Sequence, residues 1–256
     1  MTTPWYGTAF GAHYSDLYEH RDHSEADRCI NTVSKLVALD GRDVLDLGCG
    51  AGRHFHALNN HGARVTGVDY SPDLLTEASS HHPSGSHLVR GDWFELGLRA
   101  AQFDVVLSLF TAFGYGNHPA DQQRMLAEIG RTLRPTGTWV LDYLNPRLVR
   151  RELATSVEPR ERKIKGAVVR DVRRLDVVRN RVEKTVTIVP DDDHDLSGAP
   201  LTYTESVALL DLDELDAMAA VIGMKRMTAC GDYDGSAFDP ETSPRWLLVY
   251  GREELS

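Results

Sequence analysis

Three acids and one glycine-rich loop are the parts of this sequence best placed to do chemistry. Val44-Leu45-Asp46-Leu47 runs into Gly48-Cys49-Gly50-Ala51-Gly52 and then into a helical pattern. Glycines between a strand and a helix let a ligand approach the backbone closely, and the helix start offers free N–H groups. A glycine loop alone does not settle the ligand, because dinucleotide-binding folds use one too. Their pattern G-x-G-x-x-G, laid on Gly48 and Gly50, needs a small third residue where this chain has Arg53. Asp46, just before the loop, would repel a pyrophosphate and favour a ligand carrying a cationic amino group. Asp69 ends the next apolar run, and Asp92 follows the third in Gly91-Asp92-Trp93. Any one of these acids, alone, also suits a turn or a helix cap. In this order, each ending a consecutive strand, they converge on one crevice of a parallel sheet. Cys49 reads as a small buried residue of the loop, not a nucleophile.

The elements that position these residues follow from periodicity. Ser24 starts a helix to about Leu39, with Glu25 and Asp27 in its first turn and Ile30, Val33, Leu36 and Val37 at helical spacing. Strands are predicted at 43–47, 64–68, 87–90, 103–109 and 138–143, with helices at 53–60, from Pro72 behind the N-cap Ser71, and at 120–133. Arg134-Pro135-Thr136-Gly137 forms the turn before the fifth strand. Strand and helix in alternation give right-handed crossovers and a mainly parallel sheet. After Asn145-Pro146 the rhythm changes: 166–178, 181–189 and 201–210 read as successive strands, an antiparallel meander. A helix at 212–221 and strands at 225–229 and 245–250 return the chain to the main sheet. The fold class is α/β: a Rossmann-like, seven-stranded, mainly parallel sheet with helices on both faces and an antiparallel insertion after the fifth strand. The expected divisions are an N-terminal helical cap (1–39), a ligand-binding core (40–146), an insertion or lid (147–210) and a C-terminal completion of the sheet (211–256).

The segment DLGCGAG at 46–52 resembles motif I of the class I S-adenosylmethionine-dependent methyltransferases. Further matches lie at that family's spacing: Asp69-Tyr70 after the second strand, Gly91-Asp92-Trp93 after the third, FDVVLSLFTAFGY at 103–115 in the manner of motif IV, and LRPTG at 133–137 for L-x-P-G-G, with a threonine replacing the first glycine. Together they cover about residues 40–145. The resemblance implies S-adenosylmethionine as cofactor, held by Asp46, Gly48, Cys49, Gly50, Gly52, Asp69, Tyr70, Asp92, Trp93 and Ser108. Asp69 would bridge the ribose hydroxyls and Asp92 would meet the adenine amino group. A sulfonium is a good leaving group, so the protein needs to align the acceptor at roughly 3–3.5 Å and exclude water. A base is needed only for an acceptor that arrives protonated.

The acceptor site is expected from three places. Tyr14 and Tyr18 share a helix face, with Tyr6 and Phe10 near them. Phe110 to Tyr115, including Phe113, follows the fourth strand directly, and aromatic faces suit a cationic sulfonium or amine. His118 stands as either a general base or a surface histidine, and Tyr143 and Asn145 end the fifth strand at the same edge. Tyr14, Tyr18, Phe113, Tyr115 and His118 are thus the catalytic candidates. The insertion and the F-G-Y after motif IV resemble amino-sugar and glycine-type N-methyltransferases. The asparagine-proline-proline-tyrosine motif of nucleic-acid and glutamine methyltransferases is replaced by Ser108-Leu109-Phe110-Thr111. The function expected is methyl transfer to an amine or hydroxyl of a small metabolite. The alternatives are an NAD(P)-dependent oxidoreductase or a non-catalytic cofactor-binding module.

Composition bounds the rest. At 256 residues and 41% hydrophobic content, one large core is affordable, and the three cysteines have neither disulfide nor zinc spacing. A net charge of −10 speaks against a nucleic-acid partner. No apolar run is long enough to span a bilayer, and the N-terminus lacks a secretion-signal pattern, so a cytoplasmic setting and no membrane partner are expected. The expected partner is a small-molecule acceptor, with self-association left open. Positions 147–184 hold 13 Lys/Arg against 6 Asp/Glu, which suits either an anionic partner or a solvated sheet face. Asp191 to Asp195 reads as a solvated hairpin turn, and no metal is expected.

Overall fold

The computed structural model describes residues 6–7, 23–116, 118–155, 157–164, 166–190 and 200–252. The first helix, α1 (His23–Leu36), leads into alternation: β1 (Asp43–Leu47), α2 (Phe55–Asn60), β2 (Arg64–Asp69), α3 (Pro72–His81), β3 (His87–Arg90), β4 (Phe103–Ser108), α4 (Pro119–Thr132) and β5 (Leu133–Leu144). The insertion follows as α5 (Pro146–Thr155), β6 (Arg160–Ile164), β7 (Ala167–Asp176), β8 (Arg181–Pro190) and β9 (Leu201–Ala208). The chain then closes with α6 (Leu212–Val221), β10 (Lys225–Cys230) and β11 (Arg245–Gly251).

The main sheet has seven strands in the order β10-β11-β5-β4-β1-β2-β3. Strands β5, β4, β1, β2 and β3 pair in parallel, while β11 runs antiparallel to both β5 and β10. The strand order reverses between β1 and β4, which opens a crevice at their C-terminal ends. Side chains alternate between the two faces as a pleated strand requires. Leu45, Leu47, Trp139, Leu141, Tyr143, Trp246 and Leu248 pack with Leu126, Ile129 and Leu215 of α4 and α6. Val44, Val105, Leu107, Val140, Leu247 and Val249 pack on the other face with Ile30, Val33, Phe55 and Leu58 of α1 and α2. Burying each aliphatic side chain contributes roughly 1.5–3 kcal/mol, so the two apolar stripes fix the register of every strand. Helix α3 starts as its sequence demands: Pro72 lies in its first turn, and Ser71 Oγ accepts from Leu74 N at 3.3 Å.

The insertion differs from the expected three strands. It is a four-stranded antiparallel sheet in the order β6-β7-β8-β9, preceded by the helix α5. Asn145 is the reason for that helix. Its Oδ1 accepts from Arg147 N at 2.9 Å and Leu148 N at 3.3 Å, with proline in the first turn. Val149 and Leu153, one turn apart, bury its inner stripe. Strand β6 (RERKI) is a mostly charged edge strand without an apolar alternation to betray it. The stretch 134–137, expected as a turn, is an excursion inside β5. Phe103 pairs Leu133, but Val105 pairs Thr138, so the extra residues bulge out of the ladder. Pro135, with no N–H to donate, cannot lie in a regular ladder there.

Candidate functional site

A crevice of about 650 Å³, part of it open to solvent, lies over the C-terminal ends of β1, β2 and β4. One half is lined by Gly48, Gly50, Asp69, Tyr70, Leu74 and Trp93, the other by Leu109, Phe110, Ala112, Tyr115, Gly116 and Met125. Tyr6 and Phe94 complete the wall.

The first half is built locally. Gly48, Gly50 and Gly52 all have positive φ (+80°, +54° and +75°), a conformation that glycine adopts without strain. At Gly48 there is no room for anything larger: a Cβ would lie 2.4 Å from Cζ2 of Trp93. Asp69 braces the loop, its Oδ2 accepting from Gly50 N at 2.8 Å and its Oδ1 from Ser71 N at 2.8 Å. Burial raises the Asp69 carboxyl above its ordinary range, and the amide hydrogen bonds work against that rise. Each carboxylate oxygen has a second lone pair, so Asp69 keeps acceptor capacity for ligand hydroxyls. Asp46 is 1% exposed, and its Oδ2 has no hydrogen-bond partner; His54 Nδ1 stands 3.4 Å away without hydrogen-bond geometry. An orphaned buried carboxylate oxygen beside a glycine loop is a site that suits a cationic group.

The second half depends on distant segments. Phe110 and Thr111 both adopt the left-handed region, at φ +59° and +60°. Two consecutive non-glycine residues there store strain that the surroundings must hold. Asp142 of β5 holds it: its Oδ2 accepts from Phe110 N at 2.6 Å, and its backbone carbonyl accepts from Thr111 N at 2.9 Å. The carboxylate is fully buried. Arg245 Nε donates to its Oδ1 at 2.7 Å, and the Tyr233 hydroxyl donates to its Oδ2. Burial, reinforced by Asp142, pushes the Tyr233 phenol well up, and Asp142 keeps Arg245 charged against its own burial. Arg53 and Arg245 stand 4.5 and 5.2 Å from the Phe110 ring centre, and Arg53 also pairs Glu25 at 2.9 Å. Tyr115 stacks on Trp93 at 5.4 Å and 16°, joining the two halves. Tyr6 meets Tyr70 edge-on at 5.2 Å.

Several residues expected at the site are elsewhere. Ser108 is fully buried and accepts from Trp139 Nε1 at 3.1 Å. Phe113 is in the core against Trp139, because the left-handed turn at 110–111 swings Tyr115, not Phe113, to the pocket. Cys49 packs in the core on the α1–α2 face, its thiol pushed up by burial. Gly52 lies against Phe55 and Ala78. Asp46 and Asp92 are not among the described residues lining the pocket; Asp92 Oδ1 instead accepts from Phe94 N at 3.0 Å, shaping the turn that presents Trp93 and Phe94. His118 is exposed at the N-cap of α4, where Asp121 Oδ2 accepts from its N–H at 2.9 Å. Tyr143 and Asn145 are structural: the Tyr143 hydroxyl donates to Ala208 O, and Asn145 Nδ2 donates to Ser243 O at 2.8 Å. Tyr14, Tyr18, Phe10 and the 191–195 acidic run lie outside the described residues. Sequence reasoning missed Asp142, Arg245 and Arg181. A charged residue inside an otherwise apolar strand, as in VLDYL, was the available signal for the first. Among the described residues no cluster of three His, Cys, Asp or Glu could hold a metal, and no helix is long and apolar enough to cross a membrane.

Such a crevice, with a glycine loop after β1 and a buried acid after β2, defines a nucleoside-binding α/β domain. Its particular class comes from comparison: residues 44–137 match the family model described as a methyltransferase domain. The match sets aside the dinucleotide oxidoreductase alternative. Cypemycin N-terminal methyltransferase of Streptomyces sp is 37% identical over 115 residues, 44% of this chain and 46% of that protein. Ubiquinone biosynthesis O-methyltransferase of Coxiella burnetii (strain RSA 493 / Nine Mile phase I) is 30% identical over 116 residues, 44% of this chain and 48% of that protein. The matched segment thus spans about half the length of these curated relatives. In shape the similarity extends further. The CcbJ methyltransferase from Streptomyces caelestis superposes with a TM-score of 0.77 at 22% identity, covering 97% of this chain and 99% of that one. The sugar N-methyltransferase KedS8 from Streptoalloteichus sp ATCC 53650 gives 0.72 at 22%, covering 99% and 98%. The fold, insertion included, is therefore that of solved methyltransferases.

Proposed function

We infer that this chain transfers a methyl group from S-adenosylmethionine to a small-molecule acceptor, with an amine favoured over a hydroxyl. The observation that carries the reading is the pocket itself: a positive-φ glycine loop and the buried Asp69 on one side, an aromatic wall on the other, inside a matched methyltransferase domain. The residues fit the cofactor. Asp69 would take the ribose hydroxyls, and Trp93 and Phe94 the adenine. Bound there, the cofactor supplies an electrophilic methyl on a sulfonium.

The protein's own part is to position and to exclude water. Aromatic rings of Tyr6, Phe110 and Tyr115 give the acceptor half an apolar wall suited to a developing or existing cation. No described group on that wall suits the role of general base. Burial and then Asp92 push the Tyr6 phenol further from ionising. His118 faces solvent. A neutral amine needs no base to attack, whereas an alcohol does. The sugar N-methyltransferase KedS8, which shares the whole fold, supports the same preference.

Calorimetry with S-adenosylhomocysteine, followed by tritiated-methyl transfer to matched panels of amines and alcohols, tests the reading. Binding of the homocysteine compound with turnover of amines is expected. Absence of binding removes the proposal, and turnover of alcohols alone removes the preference for nitrogen.

A further inference from the structure

Arg181, the first residue of β8 in the antiparallel sheet, is only 3% exposed, yet among the described residues none of the acceptors around its guanidinium is a carboxylate. Nη1 donates to Gly116 O at 2.6 Å; Nη2 donates to Gly114 O at 3.2 Å, to Tyr115 O at 3.5 Å and to Ser206 O at 2.7 Å; Nε donates to Ser206 Oγ at 2.7 Å. A guanidinium taken out of water without a counter-ion is costly unless its donors are met, and here neutral oxygens meet them. Three of those oxygens belong to the segment 114–116, which includes the pocket residues Tyr115 and Gly116. The same segment has two further ties, one of them from the residue that pairs Arg181 in the ladder. Gln122 Nε2 donates to Gly116 O at 3.1 Å, and Ala208 N of β9 donates to Gly114 O at 3.0 Å. Gly114, at φ +100°, leaves little room for a side chain, since a Cβ there would lie 3.2 Å from the Tyr143 hydroxyl and 3.3 Å from Val207.

We propose that Arg181 is a positioning residue: through it the antiparallel sheet sets where Tyr115 stands, and so the shape of the acceptor half of the pocket. The insertion then acts on acceptor selection without touching the acceptor. A planar fork that caps several carbonyls at once is a role a lysine cannot fill, because its three donors radiate from one point. That Tyr115 contacts an acceptor rests on the methyl-transfer reading; that Arg181 fixes Tyr115 does not.

Amide hydrogen exchange on the full chain separates the two. In Arg181→Met and in Arg181→Lys, exchange across 112–116 is expected to accelerate by about tenfold or more, with 44–69 unchanged. Guanidinium ion at millimolar concentration is expected to restore the protection in Arg181→Ala, which a general packing defect would not allow. With an amine acceptor from the panel, its KM rises in Arg181→Lys while the KM for S-adenosylmethionine stays within about threefold. If Arg181→Met fails to fold, Arg181→Lys decides. Unchanged exchange at 112–116, or equal loosening of both segments with no rescue by guanidinium, overturns the proposal. Failure of the wild-type chain to bind S-adenosylhomocysteine would overturn the methyltransferase reading and leave the exchange result standing.

Discussion

The two halves of the pocket are built by opposite means. The half formed by Gly48, Gly50, Asp69 and Trp93 comes from residues 46–94, and its main brace, Asp69 to the Gly50 amide, joins two adjacent parallel strands. The half formed by Phe110 and Tyr115 is held by partners far along the chain: Asp142, Arg181, Tyr233 and Arg245. One half is a glycine loop braced by a single carboxylate on the adjacent strand, the other a set of ion pairs and hydrogen bonds between distant segments. Glycine conformations are compatible with almost any surrounding structure, so the first half can persist while its neighbours change. Buried charges demand their partners, so the second half is rigid in its details and expensive to alter.

The sharpest way to break the contrast is Asp142→Ala. It leaves the partly buried Arg245 without its carboxylate and releases the strained turn at Phe110. Removing one member of a buried ion pair costs roughly 3–5 kcal/mol, which for a chain of this size lowers Tm by about 10 °C. Affinity for S-adenosylhomocysteine in the folded variant is expected to stay within about threefold. Thermal denaturation and calorimetry check the two numbers. A collapse of affinity with stability intact would mean that the halves are one unit. Next in size is Gly48→Ala. Left-handed alanine carries roughly 1–2 kcal/mol of strain, and its Cβ displaces Trp93, which it would approach to 2.4 Å. The expected loss of cofactor affinity is about a hundredfold, close to 3 kcal/mol, with a smaller fall in Tm than Asp142→Ala gives.

That same contrast explains what could be read before the fold was known. Gly48, Gly50 and Asp69 sit at strand ends that periodicity locates, so the succession of the first five strands and the place of those residues were legible, whereas Asp46 and Asp92, expected to converge with them, are not among the described residues lining the pocket. The second half was not, because its partners meet only when β11 inserts beside β5. No spacing links Asp142 to Arg245 or Gly116 to Arg181. Phe113 and Ser108 were misplaced for a related reason. An aromatic-rich run continuing a strand gives no sign that two residues will turn left-handed and exchange which ring faces the pocket. The helix α5 was hidden differently: Asn145-Pro146 reads equally well as the end of a strand and as a cap followed by the first helical residue.

Asp69→Ala comes third. It removes the brace on Gly50 N and the acceptor proposed for ribose hydroxyls. Hydrogen bonds to a charged group contribute roughly 1.5–3 kcal/mol, so S-adenosylhomocysteine affinity is expected to fall between about tenfold and a hundredfold. Because burial has already raised this carboxyl, stability responds little or even improves: the folded state is relieved of a charge it disfavours. Asp69→Asn, which keeps one acceptor oxygen, should recover part of the affinity. Equal affinity in wild type and Asp69→Ala would remove the first half from cofactor binding.

The smallest expected effect comes from the other end of the sheet, and it serves as the control for both halves. Arg134 bridges Asp104 at 2.5 Å and Asp43 at 2.7 Å, and Arg64 joins Asp43 at 2.6 Å. Hydrogen bonds from Arg64 and then Arg134 hold Asp43 below the ordinary carboxylate range. At Asp104 burial pushes upward, but the Asp43 N–H and Arg134 outweigh it. These depressed folded values mean that the stabilisation is complete above the unfolded carboxylate value, about 3.9, and is lost as pH falls through the folded values. Solvent screens the cluster, since the Arg134 side chain is 35% exposed, so Arg134→Ala should cost no more than about 1 kcal/mol, or about 2–4 °C in Tm. The difference from wild type is constant from neutral pH down to the carboxylate range and vanishes in stronger acid. Affinity for S-adenosylhomocysteine should not change at all, because the cluster lies at the N-terminal ends of β1 and β4 and the pocket at their C-terminal ends. Urea titrations of wild type and variant across that pH range measure the gap. A gap that persists unchanged in strong acid would mean that Arg134 stabilises the fold by something other than these two acids.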